Sequence, residues 1–197
     1  MSHHIYQTKA YIIESGQTGE ASKKLLMLTD NLGLIYVAAQ GVRLSTSKLK
    51  ASIQDYSFSR VSLVRGKEIW RLTNAEKLIS LYDKRLPIQI KRLCVEMLLF
   101  VKRLTPQDVP VSDVFNLVNT CASFCFQEKQ KVIEYISETY MYFQVQLLNL
   151  LGYCPVDPVL GLVTAPNSLT TDTLVHIREY RTYIQGCIDG ALHESHL

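Results

Sequence analysis

The sequence predicts a two-part α+β protein in which a strand-rich part is followed by a helix-rich part. Short apolar runs typical of strands follow one another up to about Thr73. From Pro87 onward, apolar residues recur every three or four positions, which is the helical period. No helical period separates the first strands, so a doubly wound parallel sheet is not expected. We therefore predict a small antiparallel barrel followed by an all-α domain.

Five strands are predicted in the first part. The first is IYQTKAYIIE, and the next two, LLMLTD and LIYVAA, are separated by Asn31–Gly33, which has the chemistry of a hairpin turn. In YSFSRVSLV the apolar residues change parity between Phe58 and Val61, which predicts a β-bulge. In EIWRLT, Trp70 and Arg71 are expected on opposite faces. Five such short strands are typical of an OB-type barrel.

The second part begins after a predicted connecting helix, NAEKLISLYDKR. Pro87 suits the first turn of the next helix, and Ser112 can cap a second one. We place the domain limits at residues 1–79 for the OB-type barrel and 80–197 for the helical domain.

Two more helices are expected toward the end of the chain. The stronger pattern runs from Val132 to Leu151 and is closed by Gly152. GYCPVDPVLGLVTAPN then reads as a loop broken by prolines, and a last helix begins at about Thr171.

Common enzyme motifs are absent from the sequence, including the phosphate loop, the dinucleotide-binding glycine motif and the nucleophile elbow. Glu134 and Glu138 lie one helical turn apart, a spacing more typical of a solvated face than of a catalytic pair. The sequence thus predicts a protein that is not an enzyme and uses no cofactor.

The five cysteines are odd in number and scattered, which argues against a disulfide framework and fits a reducing cytoplasm. Cys121 and Cys125 share a predicted helix face, but a tetrahedral zinc site needs a second pair. We expect no metal, and we interpret the cysteines as small apolar residues. Without a long apolar run or a leader, the chain is expected to be cytoplasmic and to span no membrane.

Charge is unevenly distributed along the chain. Residues 1–82 carry eleven Lys and Arg against six Asp and Glu, a net charge of +5, whereas residues 83–197 carry ten against twelve, a net charge of −2. The stretch AAQGVRLSTSKLKASI holds three cations, and no acid occurs from Gly33 until Asp55. A positive first half suggests an acidic partner there, most simply nucleic acid, with a surplus for solubility as the alternative.

We predict that this flexible tract and the neighbouring strands bind phosphates through a backbone-dominated, weakly sequence-selective interface. Tyr36 and Tyr56 are conceivable partners for base stacking, although packing in the barrel core or across neighbouring strands is favoured for both. The predicted nucleic-acid-binding residues are Lys23, Lys24, Arg43, Lys48, Lys50, Arg60, Arg65 and Lys67.

Residues 18–76 resemble the N-terminal domain of the bacterial RecO recombination-mediator family. The residues that carry the resemblance are Gly19-Glu20, Thr29 with Gly33, Gly41-Val42-Arg43, Ser47-Lys48, Gln54 to Phe58, and Ala75-Glu76. In the second half, YFQVQLLNLLGYCP is similar to the family segment F-x-x-x-L-L-x-x-L-G-Y-x-P. The two segments occur in the family's order and span most of the chain.

The resemblance implies an OB domain followed by helices and a function in DNA repair and recombination. It implies binding of single- and double-stranded DNA, annealing of complementary strands, and loading of the recombinase RecA onto strands covered by single-strand-binding protein. RecR is the implied partner, and the implied location is the cytoplasm, associated with the nucleoid. None of these roles requires enzymatic turnover.

The sequence also departs from the family pattern. Leu34 and Gln40 stand where the family often has Lys or Arg, and Leu44–Thr46 is poorer in bases than usual. The four-cysteine zinc module that many members carry after the second segment is not expected here. Met141 and Tyr142 stand where some members bind the acidic tail of single-strand-binding protein, so that site is not transferred.

Two alternatives remain open from the sequence. The barrel could be a protein-interaction adaptor without intrinsic DNA affinity, since the OB fold serves partners of several kinds. It could also bind RNA, because no residue in the pattern distinguishes the two sugars.

Overall fold

The computed structural model describes residues 4–67, 69–80, 86–166 and 169–194. Over these residues the chain forms a closed five-stranded barrel and then seven helices, which confirms the predicted α+β class with an OB-type barrel. The strands are β1 (Ile5–Thr18), β2 (Ser22–Thr29), β3 (Gly33–Ala39), β4 (Ser57–Arg65) and β5 (Trp70–Ser80). The helices are α1 (Ile88–Leu104), α2 (Ser112–Gln127), α3 (Lys129–Glu134), α4 (Ile136–Leu150), α5 (Pro158–Thr164), α6 (Thr171–Glu179) and α7 (Arg181–Glu194).

The barrel closes through one long strand and one short parallel seam. The first half of β1 pairs with β4 and its second half pairs with β2, both antiparallel. The order around the barrel is β1-β2-β3-β5-β4. Closure is made by β3 and β5, which pair in parallel at Val37 with Trp70 and at Ala38 with Arg71. The seam brings the end of β3 beside the start of β5.

The interior of the barrel is filled by alternate residues of the strands, as the two-residue period requires. Trp70 lies at its edge, 7% exposed, with its ring edge-on to Tyr6 at a centroid distance of 5.1 Å. The buried core comprises Ala10, Ile12, Leu25, Met27, Ile35, Val37, Ala39, Val42, Ile53, Val61, Leu63, Trp70 and Ala75.

The predicted bulge in β4 is wrong in position. Burial along β4 alternates without interruption from Ser57 to Leu63. The pairing with β5 does shift after Phe58 and again after Ser62, but the unpaired residues, Leu78 and Thr73 respectively, belong to β5. Phe58 breaks the apolar alternation because its ring stacks on Tyr11 outside the barrel core, at 4.5 Å.

Residues Pro106–Phe115, which we call the strap, pack with the barrel although they follow α1 in the chain. The Asp108 amide donates to the Leu34 carbonyl at 2.9 Å, and Gln107 forms a parallel bridge with Leu34. The ring of Phe115 lies 5.7 Å from that of Tyr11. Leu34 is fully buried although it is not part of the barrel core. The strap therefore covers the Leu34 end of the outer face of β3.

The predicted connecting helix NAEKLISLYDKR is wrong, because Asn74–Ser80 continues β5 and pairs with β4. Residues 81–85 lie outside the described residues. The division between residues 79 and 80 therefore stays a prediction. The compact unit that contains the barrel also includes the strap, and the second unit contains α1 and the helices from Asn116 onward.

The other helices begin close to the predicted positions, but two of them are interrupted. Val132–Leu151 is split between α3 and α4 at Tyr135, whose φ of −119° and ψ of 40° are not helical. The last helix is split between α6 and α7 at Tyr180. The predicted loop after Gly152 contains α5, which Asp157 caps by accepting from the Val159 amide at 2.8 Å.

Glu138 is buried, so the expectation that it decorates a solvated face is wrong. Its side chain is 4% exposed, and it accepts from the Arg178 Nε at 3.1 Å and lies 3.7 Å from Arg181. Burial alone raises the pKa of the Glu138 carboxyl, but hydrogen bonds from Arg178 and Ser137 outweigh it, so the pKa is lowered overall. The carboxylate thus joins α4 to the α6–α7 break within the helical unit.

We predict that Gly33→Ala destabilises the barrel by about 3 kcal/mol, against about 1–2 kcal/mol for Gly19→Ala. Both glycines have positive φ, +78° and +63° respectively. A Cβ at Gly33 would also overlap the Val109 carbonyl, whereas at Gly19 it would meet nothing within 4 Å. Urea unfolding followed by the fluorescence of Trp70 measures the difference. Equal effects of the two variants, with unchanged exchange of the Asp108 amide, would contradict the packing of the strap on Gly33.

We predict that Glu138→Gln costs the helical unit about 1–2 kcal/mol at pH 7, since both arginines are about half exposed and partly screened. Because the folded-state pKa is below the ordinary value of 4.5, the carboxylate contributes fully above that pH. Its contribution is lost as the pH falls through the folded-state value. Urea unfolding followed by far-ultraviolet circular dichroism should show the full difference at pH 7 and a progressively smaller one as the pH is lowered below 4.5. Glu134→Gln, at an exposed position one turn away, is the control.

Candidate nucleic-acid interface

The basic tract is anchored to the barrel rather than free. Val42 and Ile53 are each 1% exposed and belong to the barrel core, and Leu49 packs against them. Lys48 and Lys50, on either side of Leu49, are exposed. The tract is therefore a β3–β4 loop whose residues Val42, Leu49 and Ile53 pack in or against the barrel core, while its cations face solvent.

Two of the predicted cations meet at the turn between β1 and β2. The Arg43 guanidinium donates to the Gly19 carbonyl at 3.1 Å, and the Arg43 amide donates to the Ala21 carbonyl at 3.0 Å. Lys23 pairs in register with Ala39, the last residue of β3, and its Nζ donates to the Ser15 Oγ at 3.0 Å. The start of the β3–β4 loop is thus held against the β1–β2 turn.

Lys24 faces outward on β2, where its Nζ lies 3.9 Å from the centroid of the Tyr36 ring. Tyr36 is half-buried and lies outside the barrel core; it pairs in register with Leu26 and contacts Lys24 on the neighbouring strand, so of the two favoured placements the structure shows cross-strand packing. Tyr56 is also half-buried; its backbone has a φ of +59°, and its amide donates to the Ile12 carbonyl at 2.7 Å.

The turn between β4 and β5 carries two further predicted cations. The Arg65 guanidinium lies over the Trp70 ring, 4.8 Å from its centroid, and Lys67 is exposed. Because Trp70 pairs with Val37, this turn lies at the same edge of the barrel as the end of β3.

Arg71 joins these groups and is absent from the predicted set. Lys24, Ala38 and Arg71 are neighbours in register across β2, β3 and β5. Two strand spacings amount to roughly 10 Å, so the Cα atoms of these two exposed residues are about that far apart, with Ala38 between them. The Arg71 Nε lies 3.5 Å from the position of a Cβ on Gly66, which places it beside the β4–β5 turn. The predicted placement of Arg71 on the face opposite Trp70 indicates that Arg71 faces outward. The parallel pairing with β3 that brings Arg71 next to Ala38 was not predicted.

Arg60 is placed differently from the other predicted cations. It forms an ion pair with Glu76 at 2.9 Å and pairs in register with Lys9 on β1. Its charge is therefore partly neutralised within the barrel.

Six cations thus lie around the edge of the barrel formed by the β1–β2 turn, the end of β3 and the β4–β5 turn, with Lys23 and Lys24 on opposite faces of β2. We call them the basic track: Lys23, Lys24, Arg43, Arg65, Lys67 and Arg71. Lys48 and Lys50 lie on the loop that begins at Arg43.

The cysteines of the helical unit are described as free thiols. Burial raises the pKa of Cys121, and a hydrogen bond with Cys94, together with burial, raises that of Cys125. Such thiols stay protonated and behave as apolar residues. Within the described ranges, no cluster of three or more His, Cys, Asp or Glu side chains is arranged to hold a metal ion. No described helix has the length and apolar character needed to cross a bilayer.

A closed barrel with this strand order, followed by helices, defines a two-domain OB-fold protein. The family model described as Recombination protein O N terminal matches residues 1–81. The DNA repair protein RecO of Dehalococcoides mccartyi strain BAV1 is 30% identical over 152 residues, which are 77% of this chain and 58% of the relative. That of Heliobacterium modesticaldum is 30% identical over 151 residues, 77% of this chain and 53% of the relative.

Residues 1–81 thus match the N-terminal domain of the RecO family, and about three quarters of the chain is similar to DNA repair proteins RecO. The chain spans between about half and three fifths of the length of these two relatives.

Proposed function

We propose that this chain is a DNA-binding recombination mediator that holds single strands along the basic track and anneals complementary strands. The observation that carries the proposal is the row Lys24–Ala38–Arg71, which joins cations of the β1–β2 side to those of the β4–β5 turn. Similarity to the RecO family supports a role in DNA repair. The proposed partners are single- and double-stranded DNA, RecR, single-strand-binding protein and the recombinase RecA, and the proposed role involves no enzymatic turnover.

The expected mode of binding follows from the types of residue in the track. Lysine and arginine neutralise phosphates and release condensed counterions, so affinity falls steeply as salt is added. The phosphates of the nucleic-acid backbone are the same in every DNA sequence, so little sequence preference is expected. This mode of binding is compatible with annealing, because a protein that binds the phosphate backbone leaves the base edges available for pairing. A location in the cytoplasm at the nucleoid remains a prediction.

We predict that the chain binds a fluorescein-labelled 20-nucleotide dT oligonucleotide with a strong dependence on salt. For eight phosphate contacts, made by the six cations of the basic track and by Lys48 and Lys50, the slope of log K against log[salt] is about −5.6, so affinity falls on the order of 2000-fold between 50 and 200 mM salt. Fluorescence anisotropy at four salt concentrations measures the slope. Absence of binding at 50 mM salt would overturn the proposal and favour the protein-interaction adaptor.

We predict that Lys48→Gln combined with Lys50→Gln reduces the magnitude of the salt slope by about 1.4, since each lost phosphate contact removes about 0.7 on single strands. Arg71→Gln should reduce it by about 0.7. The matched control is Arg60→Gln, which removes a cation already paired with Glu76 and should leave the slope unchanged. The annealing rate of two complementary oligonucleotides should fall in the same order. An effect of Arg60→Gln as large as that of Arg71→Gln would show that the track is wrongly assigned.

A further inference from the structure

A shallow groove lies on the outer face of β1, β2 and β3. It has a volume of about 170 Å³ and is lined by Glu14, Gly16, Lys24, Leu26 and Tyr36. Together with Ala38, these residues form two cross-strand rows, Glu14–Leu26–Tyr36 and Gly16–Lys24–Ala38. The groove therefore has an aromatic wall, an apolar floor, and a row in which a lysine stands between two small residues.

Among the described residues, the flexible side chain of Lys24 lies over the face of Tyr36 in this groove. Lys24 lies over the ring in the free protein, with its Nζ 3.9 Å from the ring centroid. A cation–π contact at an exposed site is weak, and the lysine side chain has many rotamers. The ammonium can therefore leave the ring readily when an anion is nearby. Stacking of a nucleic-acid base on an aromatic ring is the stronger contact.

The groove has room for a flat ring next to Tyr36. A Cβ built on Gly16 would meet nothing within 4 Å, and Ala38 carries only a methyl group. Leu26, 2% exposed, provides the apolar floor. The outer face of the barrel is thus open beside the ring.

The charges in the groove favour a base over a phosphate. Glu14 is exposed and lines the groove in the same row as Tyr36, and its carboxylate would repel a phosphate placed against the ring. A neutral base is not repelled by the carboxylate, which can accept a hydrogen bond from a ring N–H or an amino group of the base. Lys24 and Arg71, on either side of Ala38, are the groups suited to the flanking phosphates.

We propose that this groove takes one unpaired base of a single strand, stacked on Tyr36, while Lys24 leaves the ring and binds an adjacent phosphate. The inference rests on the proposed binding of nucleic acid to the basic track and specifies how a single strand is distinguished from a duplex. Bases in a duplex are stacked and paired, so they cannot enter the groove without being extruded.

The test compares a labelled 15-nucleotide dT oligonucleotide with an abasic oligonucleotide of the same length and charge. The wild-type chain should bind the dT oligonucleotide about 5- to 150-fold more tightly than the abasic one. Tyr36→Leu should remove that preference and leave binding to the abasic oligonucleotide unchanged. Tyr36→Phe should retain the preference, because the ring face is retained. Lys24→Gln should reduce the magnitude of the salt slope by about 0.7 for both oligonucleotides.

Each outcome decides a separate point. Salt-dependent binding of equal strength to both oligonucleotides by the wild-type chain overturns the stacking site and leaves the proposed function standing. No binding to either overturns both. A preference for dT that survives in Tyr36→Leu, with unchanged Trp70 fluorescence as the check of folding, places the base elsewhere and overturns the assignment to Tyr36.

Discussion

The parallel seam between β3 and β5 is the constraint on which the rest of the barrel depends. Within the described residues it consists of two pairs, Val37 with Trp70 and Ala38 with Arg71. An open sheet would leave two strand edges exposed, and closure removes both. Closure also brings the β4–β5 turn next to the end of β3. The positive surface is therefore a product of barrel closure rather than of any one cation-rich segment.

The seam holds like charges close together. The Cα atoms of Lys24 and Arg71 are roughly 10 Å apart across Ala38, slightly more than the Debye length of about 8 Å at physiological salt, and the Lys24 ammonium lies over Tyr36. Their repulsion is therefore mostly screened in the free protein, so the fold tolerates the pair. A phosphate placed between them interacts with both cations at shorter range. Ala38 matters because a larger outward side chain at this position would cover the space between them.

Local patterns predicted the barrel, the first helix starts and most of the basic residues, because alternation, turn chemistry and capping are written in neighbouring residues. Features set by distant partners were missed. Asn74–Ser80 is rich in helix-forming residues yet pairs with β4, since tertiary pairing overrides propensity. The burial of Glu138 could not be predicted from the neighbouring residues, because its arginine partners lie 40 and 43 positions later in the chain. Arg71 acquires neighbours only through the seam.

The departure at Leu34 from the family's usual basic residue has a physical account in the strap. Leu34 is fully buried, and its carbonyl accepts the Asp108 amide, so an ammonium at this position would lose its hydration beneath the strap. The Leu34 end of the β3 outer face is therefore unavailable to a charged backbone. A single strand crossing this barrel would be confined to the opposite end of the face, where Tyr36, Lys24 and the two turns lie. Barrel closure brings the cations together, and the strap covers the other end of the face. Under the proposed function, both features would set the direction from which a single strand of DNA approaches.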